Sequence, residues 1–161
     1  MATSKQTRIA TATALAMAIA APAEGMRRIA YYDPPGVLTV CLGHTGPDVV
    51  KGKLYSLDEC HALFSEDMAK AVSAVEKCVP GLPVKVLAAF ADAGFNLGSI
   101  IACNTKESTA ARYLKAGDYD AACNQLPRWD KARIGGILIP LPGLKKRRAL
   151  ERDVCLTWRQ P

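Results

Sequence analysis

Residues 24–46 read EGMRRIAYYDPPGVLTVCLGHTG, and this stretch decides how the chain is organised. It opens with a short charged segment, residues 24–29, whose composition is compatible with a helix. The run Asp33-Pro-Pro-Gly36 predicts a turn, because proline fixes φ and glycine accepts a positive φ. Residues 37–42 are β-branched or apolar and are followed by glycine, so they predict a strand in a small sheet.

Helical patterns follow this sheet along most of the chain. Ser56 and Glu59 form a capping box, and apolar residues at helical spacing continue the helix to about Lys77. Further segments are assigned by the same reasoning: helices over 84–95, 106–116, 119–126 and 144–158, and a glycine- and proline-rich loop over 130–143. The predicted fold class is α+β and predominantly helical, with a small β-hairpin lobe joined by a long helix to a helical lobe.

The first 23 residues have the composition of an export segment. Lys5 and Arg8 precede an uncharged, alanine-rich run over residues 9–23. Three interpretations stay open: a secretory signal cleaved after Ala23, a weak signal anchor that later slips out of the membrane, and an alanine-rich helix of a cytoplasmic protein.

An even number of cysteines is spread along the chain: Cys41, Cys60, Cys78, Cys103, Cys123 and Cys155. No pair has the short spacing typical of zinc or thioredoxin-like sites. Behind an export segment they predict three disulfides in an oxidising compartment, and buried free thiols in a cytoplasmic protein are the alternative. The residues alone leave the pairing open.

The formal net charge of +6 favours an anionic partner, which nucleic acid, membrane and bacterial cell wall all are. The densest basic run, residues 145–148, is followed by Glu151 and Asp153, a pattern typical of a solvated helix face. No zinc-finger, RNA-binding or phosphate-loop motif accompanies it, so we expect no nucleic-acid partner.

Glu24, Asp33 and Thr39 are the candidate catalytic residues. Glycoside hydrolysis commonly needs two carboxyl groups, one protonated to assist the leaving oxygen and one ionised on the other side of the bond. A segment that enters a hairpin folds back on itself, so these three side chains are expected to face one cleft. Their spacing alone is a weak signal, since most such carboxylates are solvated surface groups.

The surrounding motifs resemble the phage lysozyme family, the lambdoid endolysins of glycoside hydrolase family 24. The first motif is Glu24-Gly25-x-Arg27, Tyr32-Asp33-x-x-Gly36-x-x-Thr39 and Gly43-His44-Thr45-Gly46. Weaker likenesses follow at 56–67, Phe95-Asn96-Leu97-Gly98, Cys123-Asn124-Gln125-Leu126, Arg128-Trp129 and 143–151. The resemblance spans nearly the whole chain from Glu24 onward.

The resemblance implies a lysozyme-like fold and a muramidase that cuts the β-1,4 bond between N-acetylmuramic acid and N-acetylglucosamine for host lysis. Glu24 would be the general acid, Asp33 the carboxylate that supports an attacking water, and Thr39 the hydroxyl that positions this water. Such enzymes invert configuration. A lytic transglycosylase and a non-catalytic wall-binding protein remain alternatives.

Secondary roles also follow from the resemblance. His44 is expected to be structural and paired with Asp67, with a catalytic base or metal ligand as the alternative, and Asn96 and Arg148 are expected to support the cleft. Exported relatives are expected to have four cysteines. The resemblance therefore implies the disulfides Cys41–Cys60 and Cys123–Cys155, with Cys78–Cys103 as an additional one. No cofactor or metal is expected.

Some family members use a signal-anchor-release segment, and we expect residues 1–23 to be one, ahead of a catalytic domain over 24–161. The expected partners are then peptidoglycan, the host inner membrane through residues 9–23, and a holin or pinholin, with the enzyme itself a monomer. The segment 134–140 is unusually apolar. It is interpreted as a lid, a membrane-touching patch or a loop folded onto the core.

Overall fold

A long central helix connects a small β-sheet to a group of helices in the computed structural model, which describes residues 3–161. The helices are α1 (Ser4–Ala20), α2 (Leu57–Cys78), α3 (Val84–Leu97), α4 (Ile100–Cys103), α5 (Thr109–Ala116), α6 (Tyr119–Cys123), a 3-10 helix (Leu126–Arg128) and α7 (Pro142–Leu156). The strands are β1 (Arg27–Tyr32), β2 (Leu38–Cys41), β3 (His44–Thr45), β4 (Lys131–Ile134) and β5 (Ile137–Pro140).

The first three strands form an antiparallel sheet in the order β1-β2-β3, with Tyr31 opposite Thr39 and Val40 opposite His44. The helix-compatible interpretation of residues 24–29 was wrong from Arg27 onward, because that segment enters β1. Strand pairing to β2 decides its conformation, since it satisfies the backbone groups that an isolated short helix would leave open.

Helix α2 begins where the capping box predicted. The Ser56 hydroxyl accepts a hydrogen bond from the Glu59 backbone N–H at 3.0 Å, and the Glu59 carboxylate accepts one from the Ser56 N–H at 2.7 Å. The first turns of α2 contribute Cys60 to the core of the β lobe. Later turns contribute Phe64, Met68 and other apolar side chains to the helical core, so α2 belongs to both lobes.

Helix α3 lies at the centre of the helical lobe, and its residues 86–93 are all buried. Helices α1, α2 and α7 pack around it. The side of α1 that enters this core consists mostly of small residues, Ala12, Ala16 and Ala20, which let the two helices approach closely. Residues 4–20 are thus an integral part of the helical lobe in this structure. Within residues 3–161, none of the helices combines the length and apolar character needed to cross a membrane.

The predicted loop over 130–143 is instead a second hairpin, formed by β4 and β5. Gly135 and Gly136 have φ values of +57° and +81°, the left-handed geometry that a tight two-residue hairpin turn requires at both positions. The apolar residues Ile137 and Ile139 then favour an extended conformation in β5. The loop prediction was wrong because Gly135 and Gly136 were interpreted as a sign of irregular structure. In the structure these two glycines form the turn of the hairpin.

The shorter helices differ from prediction at their ends. The Ser108 hydroxyl caps α5, which therefore starts at Thr109 and not at Lys106. Helix α6 ends at Cys123, and a 3-10 turn containing Pro127 replaces its expected last turn. All six cysteines are paired, as Cys41–Cys60, Cys78–Cys103 and Cys123–Cys155, the pairing that the family resemblance implied.

Candidate active site

Glu24 owes its position to α1. The helix ends at Ala20, and the backbone N–H groups of Ala23 and Glu24 both donate to the Ala20 carbonyl, at 2.9 and 3.0 Å. Because Ala20 is completely buried against the core, this turn fixes the start of the Glu24 side chain relative to the helical lobe. The Glu24 side chain retains 17% of its accessible surface, so it is held by the core but open on one side.

Arg147 of α7 holds the Glu24 carboxylate from the core side. One of its terminal nitrogens donates to Glu24 Oε1, while the other and Nε donate to the two oxygens of Asp92, at 2.6 and 3.1 Å. Burial opposes the charged form of Arg147, but the hydrogen bonds and charges of Asp92 and Glu24 outweigh it and raise the pKa of the guanidinium. Asp92 is fully buried on α3, so Arg147 is a permanently charged bridge between α3 and Glu24.

Arg148 was expected to support the cleft, but its only hydrogen-bonded partner among the described residues is Glu151 of the same helix, at 2.6 Å. The neighbouring Arg147 makes the contact with Glu24. Arg148 and Glu151 are both completely buried, and burial followed by the contact with Asp92 raises the pKa of Glu151. Glu151 also lies 3.7 Å from Nε of Arg147, so this buried pair packs directly against Arg147.

Asp33 and Thr39 are brought together by the β1–β2 hairpin. Asp33 Oδ1 accepts a hydrogen bond from the Val37 N–H at 2.7 Å, which closes the predicted turn. The Thr39 hydroxyl lies 3.4 Å from Asp33 Oδ2 and 3.0 Å from the Val37 carbonyl, so its single proton has two alternative acceptors. Thr39 is only 3% exposed.

Tyr31 belongs to β1, the strand that lies between Glu24 and Asp33 in the chain. It sits opposite Thr39 in the sheet. Burial raises the pKa of its phenol, the negative charge of Glu24 adds to the rise, Arg27 opposes it, and Asp33 adds a further part. By geometry, Glu24 lies against Gly43 in the loop that follows β2, and Asp33 lies beside Thr39 within β2, so both carboxylates border the same strand.

Gly43 passes directly beside the Glu24 carboxyl group. A Cβ atom at this position would lie 2.8 Å from Glu24 Oε2, and the φ of Gly43 is +78°. Both the contact and the left-handed backbone exclude an ordinary side chain here. The loop between β2 and β3 can therefore cover the carboxyl group closely.

His44 joins the β lobe to α2. Its Nδ1 lies 2.6 Å from Asp67 Oδ2, which is the expected pair, and its Nε2 lies 3.0 Å from Asp48, which the sequence did not suggest. Burial lowers the pKa of this imidazole, but hydrogen bonds to Asp67 and Asp48 outweigh burial, and the net pKa is raised. Among residues 3–161, no group of acidic, histidine or cysteine side chains is arranged to hold a metal ion.

A cavity of about 330 Å³ opens beside Gly43, between β3 and the helices α2 and α3. Its lining mixes polar and apolar side chains: Thr45, Asp67, Lys70, Phe95 and Ser99. Asn96, which was expected to support the cleft, follows Phe95 on α3, and its Oδ1 is buried with no hydrogen-bond partner among the described residues.

These features have a counterpart among known proteins. A family model described as phage lysozyme matches residues 21–151. The chain belongs to the phage lysozyme family. As a phage lysozyme it is a glycoside hydrolase that degrades peptidoglycan for host lysis, and the predicted α+β, lysozyme-like fold is confirmed.

Two similar phage lysozymes are SAR-endolysins. That of Bacteriophage PS119 is 40% identical over 138 residues, covering 85% of this chain and 78% of that protein. That of Bacteriophage PS34 is 39% identical over 138 residues, with coverages of 85% and 78%.

Solved structures give the same fold. The active form of the P1 phage endolysin matches with a TM-score of 0.75 at 27% identity, covering 89% of this chain and 83% of that one. The muramidase domain of SpmX from Asticaccaulis excentricus also has a TM-score of 0.75, at 26% identity and coverages of 88% and 95%. The secreted inactive form of the P1 endolysin matches less well, with a TM-score of 0.52 at 25% identity and coverages of 70% and 76%.

Sequence reasoning about this phage lysozyme missed four residues around the candidate acid. Gly43 and Arg147 contact Glu24, Asp92 holds Arg147, and Tyr31 lies opposite Thr39 in the sheet. One signal was available. Asp92 is the only charged residue in the segment 86–97, and an acid inside an otherwise apolar helix indicates a buried cationic partner. The choice between Arg147 and Arg148 as that partner depends on how α7 is rotated against α3, which spacing does not reveal.

Proposed function

We propose that this phage lysozyme hydrolyses the β-1,4 bond between N-acetylmuramic acid and N-acetylglucosamine, with Glu24 as general acid and Asp33 and Thr39 on the side of the attacking water. The observation that supports this most is that both carboxylates border β2: Glu24 lies against Gly43 just after this strand, and Asp33 lies beside Thr39 within it. Glycoside hydrolysis by inversion needs two carboxyl groups around one bond, with room for a water.

Glu24 is the proton donor in this proposal. As the proton moves to the leaving oxygen, negative charge grows on the carboxyl group, and the Arg147 guanidinium already lies against Oε1 to stabilise it. The guanidinium needs no rearrangement at that moment, because Asp92 holds its other nitrogens. Gly43 lets the backbone approach Oε2 without covering it with a side chain.

Asp33 and Thr39 act on the other reactant. The Val37 N–H fixes one oxygen of Asp33 and leaves the second beside the Thr39 hydroxyl. When this hydroxyl donates to a protein acceptor, its lone pairs remain free to accept a hydrogen bond from a water. Asp33 then receives the proton that the water loses as it attacks the developing oxocarbenium ion.

Substitution of Glu24 and Asp33 tests this assignment. Glu24→Gln removes the proton donor and keeps the shape, and activity on purified peptidoglycan should fall by a factor of about 10² to 10⁴. Glu66→Gln is the matched control, since Glu66 is an exposed residue paired only with Lys70 on the same helix. Products with a reducing end support hydrolysis. A 1,6-anhydro product would establish a transglycosylase, and unchanged activity in Glu24→Gln would contradict the assignment of Glu24 as the general acid.

We further propose that residues 1–23 act as a signal anchor that is released and not cleaved, ahead of the catalytic domain over 24–161. In the tethered state the bilayer would hold residues 9–23 away from α3, and Glu24 would be displaced with them. Two facts support this: α1 carries Glu24 through the turn at Ala20, and the fold is more similar to the active than to the inactive form of the P1 endolysin. The enzyme would act as a monomer in the periplasm, with a holin or pinholin depolarising the membrane.

Expression of the full chain in a bacterium tests this delivery. The expected product keeps its first residues, sediments with membranes while the inner membrane is energised, and becomes soluble and active after an uncoupler is added. A fully active soluble product whose N-terminus is Glu24 would refute the released anchor and would leave the catalytic assignment standing.

A further inference from the structure

The β4–β5 hairpin has one apolar and one basic face. Cross-strand partners in a hairpin project to the same side, and successive residues alternate between sides. The apolar face is formed by two such pairs: Ile134 with Ile137, and Ala132 with Ile139. The basic face is formed by the other two: Lys131 with Pro140, and Arg133 with Leu138.

The end of this hairpin projects into solvent. Ile137 is 66% exposed, Leu138 56% and Ile139 38%. Among the described elements, β4 and β5 pack extensively only on each other. Three consecutive exposed apolar residues on a protruding strand are unfavourable in water and mark a surface that meets an apolar partner.

Cations surround the base of the hairpin. The Leu141 N–H donates to the Asp130 carbonyl at 3.0 Å, so the two strands close immediately before α7 begins. The first turns of α7 carry exposed Lys145 and Lys146, in addition to exposed Lys131 and Arg133 on the basic face. Asp130 is the only carboxylate in the segment 130–146, so the region is strongly positive.

The chemistry of the two faces selects among partners. A glycan is bound through hydrogen bonds, and the apolar face has no side chain that donates or accepts one. An anionic bilayer supplies both an apolar layer for isoleucine side chains and phosphate groups for lysine and arginine, within a few ångströms of each other. We propose that the β4–β5 hairpin docks the enzyme onto the surface of an anionic phospholipid membrane, with Ile137 and Ile139 inserted at the headgroup boundary.

This contact is independent of α1, whose apolar side is packed into the helical core. It also goes beyond the proposed catalytic function, because it requires neither Glu24 nor peptidoglycan. A lysozyme released from its anchor would keep an affinity for the bilayer that it has just left, through a different part of the chain.

Co-sedimentation of the full-length protein with vesicles tests the proposal. The vesicles contain phosphatidylethanolamine and phosphatidylglycerol, and phosphatidylcholine vesicles serve as the uncharged comparison. Ile137→Ser with Ile139→Ser should weaken binding to the anionic vesicles by at least about tenfold, because two apolar side chains lose their burial. Lys131→Gln with Arg133→Gln should weaken it by about fivefold for each cation removed at low salt.

Matched controls distinguish binding through this surface from non-specific hydrophobic and electrostatic binding. Ile29→Ser with Leu54→Ser removes two comparably exposed apolar residues from the β lobe, and Lys77→Gln with Lys106→Gln removes the same charge elsewhere on the surface. Both controls should bind as the unmodified protein does. Equal binding by the hairpin variants, or no binding by the unmodified protein, would overturn the proposal. Lower activity of the isoleucine variant on membrane-free peptidoglycan would do so too, because it would identify the hairpin as part of the substrate cleft.

Discussion

The two halves of the proposed catalytic set are held in different ways. Glu24 is held by Arg147, 123 residues away in sequence, and through it by Asp92 in the buried centre of α3. Asp33 and Thr39 are six residues apart and are held by the turn that joins them. The position of the proposed proton donor therefore depends on the packing of the whole helical lobe, whereas the position of Asp33 and Thr39 depends on one hairpin. Substitutions in the two regions should affect stability and activity in different proportions.

Asp33→Asn should give the largest loss of activity with the smallest structural effect. The amide oxygen of asparagine can still accept from the Val37 N–H, so the free energy of unfolding should change by less than about 1 kcal/mol. Activity on purified peptidoglycan should fall by a factor of about 10² to 10⁴, since a neutral amide cannot take a proton from water. Urea unfolding measures the stability and initial rates measure the activity. A strongly destabilised variant would show that Asp33 makes stabilising contacts beyond its own hairpin.

Asp92→Asn should have the opposite balance. Arg147 would remain buried with its main counter-charge removed, which typically costs about 3–5 kcal/mol. Because Arg147 then holds Glu24 less firmly, kcat should also fall, with little change in KM. Asp153→Asn is the control, since Asp153 is exposed on α7 and pairs only with the adjacent Arg152. If Asp92→Asn had the same free energy of unfolding as the control, the proposed bridge through Arg147 would not contribute to stability.

His44 gives the contact between the lobes a pH dependence. The pKa of this histidine is raised in the folded protein, so its contribution to stability is complete below pH of about 6.5 and is lost as the pH rises through the higher folded value. Asp67→Asn should remove about 1.5–3 kcal/mol at pH 5 and less at pH 9. Thermal unfolding of both proteins across this range measures the difference, and an equal loss at the two pH values would contradict the charged pair.

Among the three charge pairs whose loss should lower stability, the smallest expected effect concerns the docking of α1. Arg8 donates to Glu76 at 2.5 Å and to the Leu82 carbonyl at 2.8 Å, and Glu76 is only 7% exposed. Arg8→Gln should therefore cost about 1–3 kcal/mol, since it leaves a buried carboxylate without its close partner. Lys5→Gln, which removes a distant, exposed contact to the same Glu76, should cost less than about 0.5 kcal/mol. If urea unfolding showed the same loss of stability for both substitutions, the contact between Arg8 and Glu76 would not be what stabilises the docking of α1.

Local signals in the sequence predicted the local parts of the structure. The capping box set the start of α2, and the Asp33–Gly36 turn formed where its residues indicated. Contacts between distant segments were harder to predict from the sequence, as the choice between Arg147 and Arg148 illustrates. Two adjacent arginines have the same chemistry, and only the rotation of α7 against α3 determines which one meets Glu24. The missed second hairpin has a related cause, because Gly135 and Gly136 favour both a flexible loop and a tight turn.

The bridge from Glu24 through Arg147 to Asp92 also sets an order of events during synthesis. Glu24 leaves the ribosome early, and the helix that completes its surroundings is translated more than a hundred residues later. A nascent chain that has not yet released α7 has no arginine to orient its acid. The glycosidase is thus assembled only near the end of translation, however early its acidic residue is made.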